Sequence, residues 1–164
     1  MRVPSNLIDR ANLTVAIERE FAYPRELVFR AWSSCEHVGH WFGPKGWTLP
    51  VCEMDFRPGG RWRFAMDHPD TGLSHGLAIY DEIVEPSRIV YHDYFANEDG
   101  SIDEAMPAMW TEVDLHDLGG RTRLVNTSHF ASLEDLEKVV GMGAESGMVE
   151  TFDRLEAYLT DLDA

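Results

Sequence analysis

Polar and apolar residues alternate with a period of two along the first part of the chain. Leu13, Val15 and Ile17 fall on one side of the segment Leu13 to Phe21; Thr14, Ala16 and Glu18 fall on the other. That pattern predicts a strand with one buried face. Pro24 ends it and fits the first turn of a helix, where its missing N–H costs nothing. Leu27, Val28, Ala31 and Trp32 then recur at helical spacing. Ser34 fits as the cap of a second short helix, Cys35 to Phe42, with Val38, Trp41 and Phe42 on its apolar side.

Turn residues punctuate the next stretch and leave six more strands between them. Gly43-Pro44-Lys45-Gly46 precedes a strand from Trp47 to Phe56, and Arg57-Pro58-Gly59-Gly60 precedes one from Arg61 to Met66. In the latter, Trp62, Phe64 and Met66 alternate with Arg61, Arg63 and Ala65. Leu73 to Val84, Arg88 to Phe95, Ala108 to Leu115 and Thr122 to Ser128 follow. An acidic loop, Asn97 to Pro107, separates the second and third of these. The period then changes. Ser132 is a good helix cap, and Met148, Phe152, Leu155, Leu159 and Leu162 step by four, three, four and three, the apolar stripe of an amphipathic helix. Gly141, Gly143 and Gly147 predict a loose or kinked start to that stripe.

Successive strands with hairpin-sized loops imply an antiparallel meander. A sheet with one apolar face needs a cover, and the C-terminal helix is the element long enough to supply it. The predicted fold is therefore α+β: a curved antiparallel sheet wrapped around a long C-terminal helix, with two short helices after the first strand. Residues 1–12 are unpatterned and read as a flexible tail, leaving 13–164 as a single domain.

Several strings in this order resemble a known family. They are Phe21-Ala22-Tyr23-Pro24-Arg25-Glu26-Leu27-Val28-Phe29-Arg30-Ala31-Trp32, Trp41-Phe42-Gly43-Pro44, Asp55-Phe56-Arg57-Pro58-Gly59-Gly60-Arg61-Trp62, Gly141 to Met148, and Asp153-Arg154-Leu155. Together they are similar to homologues of the activator of the ninety-kilodalton heat-shock protein's ATPase. These belong to the START-like helix-grip (SRPBCC) superfamily, which includes the birch-pollen allergen. The resemblance implies a hydrophobic cavity between sheet and long helix. The eukaryotic co-chaperone behind the family name has a further N-terminal domain, so the resemblance does not carry that activity over.

Composition narrows the partners. Asp and Glu number 29 against 14 Lys and Arg, a formal net charge of −15. Such a surface repels phosphates, which argues against nucleic acid and anionic membranes. No apolar run reaches the length of a membrane span. No secretory h-region is visible between Met1 and Arg10, and Cys35 and Cys52 match no CxxC pattern. The expectation is a cytoplasmic chain with two reduced thiols. Homodimerisation is left open.

The candidate chemistry is mostly apolar. Trp41, Phe42, Trp62, Phe64, Met66, Met109, Met142, Met148 and Phe152 fall on predicted inward faces, where they either pack a core or line a ligand cavity. Asp93 shares strand parity with Ile89, Tyr91 and Phe95, so it too is expected to face inward, with its pKa raised if it is unpaired. These residues frame the first expectation: binding of a hydrophobic or amphipathic small molecule. An enzyme, cyclase- or hydrolase-like, is the alternative, with His75, Tyr91, His92, Asp93 and Glu112 as its polar candidates. A co-chaperone or protein-interaction module is the third reading, supported only by the family name. His37 and His40 sit three apart on a predicted helix, but no second ligand pair accompanies them, so no metal is expected. No nucleophile elbow occurs, and the Gly141–Gly147 run lacks dinucleotide spacing. No catalytic residue and no cofactor are assigned.

Overall fold

The structure is a computed structural model that describes residues 6–163. Eight strands form a single antiparallel sheet: β1 (Asn6–Asp9), β2 (Thr14–Phe21), β3 (Thr48–Met54), β4 (Arg61–His68), β5 (Gly72–Val84), β6 (Arg88–Phe95), β7 (Ala108–Asp117) and β8 (Thr122–Phe130). Their order across the sheet is β1-β2-β8-β7-β6-β5-β4-β3. The six strands from β3 to β8 make the expected meander, and β2 closes against its last member. Residues 6–9, read from sequence as part of a loose tail, instead pair with β2 from Asn6 opposite Ile17 to Asp9 opposite Thr14. Their four backbone positions cap the sheet edge without needing a long apolar pattern.

Among the described residues four helices cover one face: α1 (Arg25–Ala31), α2 (Cys35–Val38), α3 (Leu133–Gly141) and α4 (Ala144–Asp163). Pro24 occupies the cap position of α1. The Ser34 and Ser132 hydroxyls cap α2 and α3 by accepting from the backbone N–H groups of His37 and Asp135. The expected single long helix is therefore two helices. Val140 O accepts from the Gly143 N–H, and Gly143 adopts φ +82, a left-handed conformation that ends α3 and that glycine takes without strain.

Two apolar clusters fill the covered face. The larger joins Phe21, Trp32, Trp41, Trp62, Tyr91, Phe152, Leu155 and Leu159 beneath α4. The smaller joins Val15, Phe130, Leu136 and Val139 beneath α3. Trp41 is fully buried, and its indole N–H donates to Ala31 O at 3.0 Å. Met142, expected to face inward, is 55% exposed, because it lies at the turn between the helices rather than on either apolar stripe.

Cys35 and Cys52 are joined in a disulfide, not free as the sequence reading had it. The short helix α2 lies against the edge strand β3 and brings the two Cα atoms to 5.8 Å, inside the range a disulfide spans. The cytoplasmic expectation thereby loses the support it drew from free thiols. Among the described residues no helix is long and apolar enough to cross a membrane.

Candidate functional site

Strand register sets which side chains meet. On the inner face Phe64 of β4 lies opposite Gly76 of β5, which lies opposite Phe95 of β6. In the next row Trp62 lies opposite Ala78, Ala78 opposite Asp93, Asp93 opposite Met109, and Met109 opposite Phe130. Gly76 and Ala78 leave little side chain in the middle of these rows. A Cβ on Gly76 would come within 2.3 Å of the Phe64 ring, so that ring lies over the glycine.

A pocket of about 150 Å³ opens here, bordered chiefly by Phe42, Phe64, Met66, Asp93, Phe95 and Met109. Phe42, Phe64 and Met66 belong with the larger cluster, Phe95 and Met109 with the smaller. The pocket thus lies at the seam between the two. Its volume matches the ~150 Å³ of an engineered cavity that takes up benzene, and falls below the ~300 Å³ at which drug-sized pockets begin. Asp93 is half-buried, and burial pushes its carboxyl up to about 7, with no hydrogen bond or cation among the described residues to offset the effect. Tyr91, two positions along, is buried, and burial and the nearby Asp93 charge both push its phenol well above the usual range.

The loop that carries Phe42 is held from α4 by Arg154. Its Nη1 donates to the carbonyls of Gly43 at 2.8 Å, Trp47 at 3.1 Å, Pro44 at 3.2 Å and Phe42 at 3.5 Å, and its Nη2 to that of His40 at 3.5 Å. Desolvation lowers the pKa of this guanidinium. The arrangement was missed from sequence, although a signal existed: Arg154 is the sole basic residue in an otherwise acidic α4. Below the loop, His37 Nδ1 and the Tyr158 hydroxyl are 2.6 Å apart, and His40 stacks on the same ring at 4.9 Å. The two histidines weighed as ligands therefore tie α2 to α4.

The remaining candidates divide by parity. Trp41, Trp62 and Phe152 are buried in the larger cluster, and Met148 packs at its edge. Their rings fill space rather than border it: Trp62 packs against Phe42 at 4.7 Å and Phe64 at 4.8 Å. Three of the five polar candidates lie on the outer face. His92 is exposed and lies opposite Trp110. Glu112 bonds Arg88 at 2.5 Å and His129 at 2.7 Å; burial pushes its pKa up, but these hydrogen bonds outweigh it and hold the carboxylate below its ordinary value. His129 in turn stacks on Trp110 at 3.7 Å beside an open hollow. His75 borders the inner pocket, but it alternates away from Gly76 and pairs with Ala65, and its Nδ1 is buried without a partner. Only Tyr91 and Asp93 of the five share the inner face, so no cluster of three acid–base groups forms there. Among the described residues no group of three metal-ligating side chains occurs.

The fold that carries this pocket is shared by proteins of known structure. Residues 22–160 match the family described as activator of Hsp90 ATPase homolog 1-like protein. A protein from Arthrobacter aurescens, solved by NMR, is 29% identical with a TM-score of 0.90, covering 98% of this chain and 93% of that one. A crystal structure of a protein from Mycobacterium smegmatis is 27% identical with a TM-score of 0.87, covering 95% and 96%. A further NMR structure, from Staphylococcus epidermidis, is 29% identical with a TM-score of 0.80 over 94% and 93%. No curated protein matches the chain.

Proposed function

From the premise that the chain belongs to the activator of Hsp90 ATPase homolog 1-like family, we propose that it binds a small hydrophobic or amphipathic molecule in the seam pocket. The observation that carries this reading is the pocket itself: an apolar wall of Phe42, Phe64, Met66, Phe95 and Met109 with one unpartnered carboxyl, Asp93, set into it. Apolar burial at about 25 cal/mol per Å² drives binding, and the carboxyl orients the ligand. The deep interior under α4 is not part of the site, because Trp41, Trp62 and Phe152 occupy it.

A second reading draws on the same carboxyl. A group titrating at about 7 is suited to general acid–base work at neutral pH. It would make the protein an enzyme, with Asp93 moving a proton on the bound molecule.

Native mass spectrometry of the purified protein tests both. A retained small molecule supports binding, and its conversion to a second species on incubation supports catalysis. Methionine-methyl NMR localises the event. Met66 and Met109 should shift with the ligand, while exposed Met142 stays still. Shifts confined to Met142, or none when ring-sized apolar probes are added to millimolar concentration, would remove the reading.

A further inference from the structure

We propose that the seam pocket takes a small organic cation, an ammonium group on a single ring-sized apolar body, with Asp93 as its counter-ion. This rests on the ligand-binding reading above and names its ligand class.

Three observations converge. The first is charge. Among the lining side chains Asp93 is the one carboxyl, and no cation among the described residues offsets it. A half-buried carboxylate without a partner is costly, and a ligand that brings a positive charge offsets that cost by pairing with it. The second is the wall. Phe42, Phe64 and Phe95 present aromatic surface and Met66 and Met109 polarizable sulfur. Ring faces are negative, and a desolvated cation over them is favoured. The third is the long-range field. A net charge of −15 concentrates cations near the surface and repels anions.

The groups around Asp93 fit this assignment. Ala78 and Met109, its cross-strand neighbours, carry no charge. Tyr91, on the same strand, and Tyr80, on β5, are held neutral by burial. His75 borders the pocket from the outer-facing position of β5. Arg154, which holds the loop that carries Phe42, is already committed to the backbone carbonyls of Gly43, Pro44 and Trp47. An anionic ligand would meet Asp93 unpaired. A neutral alcohol would gain one hydrogen bond and the same apolar burial, without the cation's attraction to the ring faces.

The cation also couples binding to protonation. Free Asp93 holds its proton up to about pH 7, and a cation favours the ionised form. Binding therefore releases a proton below pH 7, and affinity rises with pH until Asp93 is ionised in the free protein.

Calorimetry and methionine-methyl NMR with three probes test this. Benzylammonium and benzyl alcohol share one shape and differ in charge; tetramethylammonium carries a charge that does not titrate. Benzylammonium should bind about tenfold or more tighter than benzyl alcohol at pH 7.5, the advantage expected of a desolvated cation site. D93N should abolish that preference, bringing the two affinities to within about twofold of each other. Tetramethylammonium affinity to the unaltered protein should fall severalfold from pH 7.5 to 5.5, a measurement that needs no variant. Equal or tighter binding of benzyl alcohol, with Met66 and Met109 shifting, would overturn the cation and leave the ligand-binding reading intact. Failure of all three probes to move those methyls would overturn both.

Discussion

The two ends of the covered face are built from the same kinds of residue and end differently. Beneath α4, Trp41, Trp62, Phe152, Leu155 and Leu159 are essentially fully buried in one cluster. At the seam, Phe42, Met66, Phe95 and Met109 are as apolar but only partly buried, and a pocket opens among them. The pocket's lining comes from the sheet and the loop after α2, and none of it from α3 or α4. An unbroken helix presents a stripe every three to four residues and fills the concave face. Where the cover breaks at Met142-Gly143, two apolar clusters abut without merging. Gly76, which carries no side chain, lies in the pocket's lining and lets the Phe64 ring close over it.

The largest effect should come from the filled end. Phe152→Ala removes a fully buried ring from the middle of the larger cluster and should cost about 3–5 kcal/mol in urea unfolding. Met66→Ala, beside a space that already exists, should cost under about 2 kcal/mol, because little new cavity is made. Equal losses would erase the distinction between the ends. Next comes the tether. Cys35 and Cys52 are 17 positions apart, and a loop of that size contributes about 3 kcal/mol when closed by a disulfide. Adding reductant, or replacing both cysteines by serine, should lower the unfolding midpoint by a matching amount. It should also weaken ligand binding, since α2 leads into the segment that carries Phe42. An unchanged midpoint in reductant would show that the bond contributes nothing.

Much of the filled end was readable in the sequence, and much of the seam was not. The spacing from Met148 to Leu162 defines the stripe of α4, and the alternation of Trp62, Phe64 and Met66 defines the face it meets. Parity also places Asp93 among Ile89, Tyr91 and Phe95. The same parity, applied to Glu112 between Thr111 and Val113, points it outward, where it pairs with Arg88. The seam depends on contacts between distant segments. Cys35 and Cys52 share no local motif, and Arg154 meets carbonyls more than one hundred positions away. Periodicity reports which side a residue faces, and says nothing about whether the opposing layer arrives.

The third effect belongs to the seam's charge. The Asp93 carboxyl titrates at about 7 in the fold against 3.8 in its ordinary state. Between those values the unfolded chain has already lost this proton while the fold keeps it. The fold therefore binds more protons, and this group's contribution to stability falls as pH rises from about 4 to 7, then levels off. The full swing should be on the order of 2 kcal/mol after local relaxation. Asp93→Asn removes it, so the difference between the two proteins should widen across that interval in favour of the variant. A difference that stays flat from pH 4 to 8 would mean the carboxyl is hydrated and the seam wetter than its apolar wall implies.

The smallest effect tests the break itself. Gly143 sits at φ +82, and a Cβ there would meet nothing closer than Ser146 Oγ at 3.8 Å. Gly143→Ala therefore adds no clash, only the cost of a left-handed backbone for an L-residue, about 1 kcal/mol. That strain falls on the turn between α3 and α4, so its consequences should separate the two ends. Phe152 and its neighbours should keep their amide protection in hydrogen exchange. The amides of α3 and the start of α4 should exchange faster, and ligand affinity at the seam should shift with them. If Gly143→Ala instead loosened the whole chain uniformly, α3 and α4 would be acting as one cooperative cover. The pocket would then owe its existence to the small residues of the sheet alone.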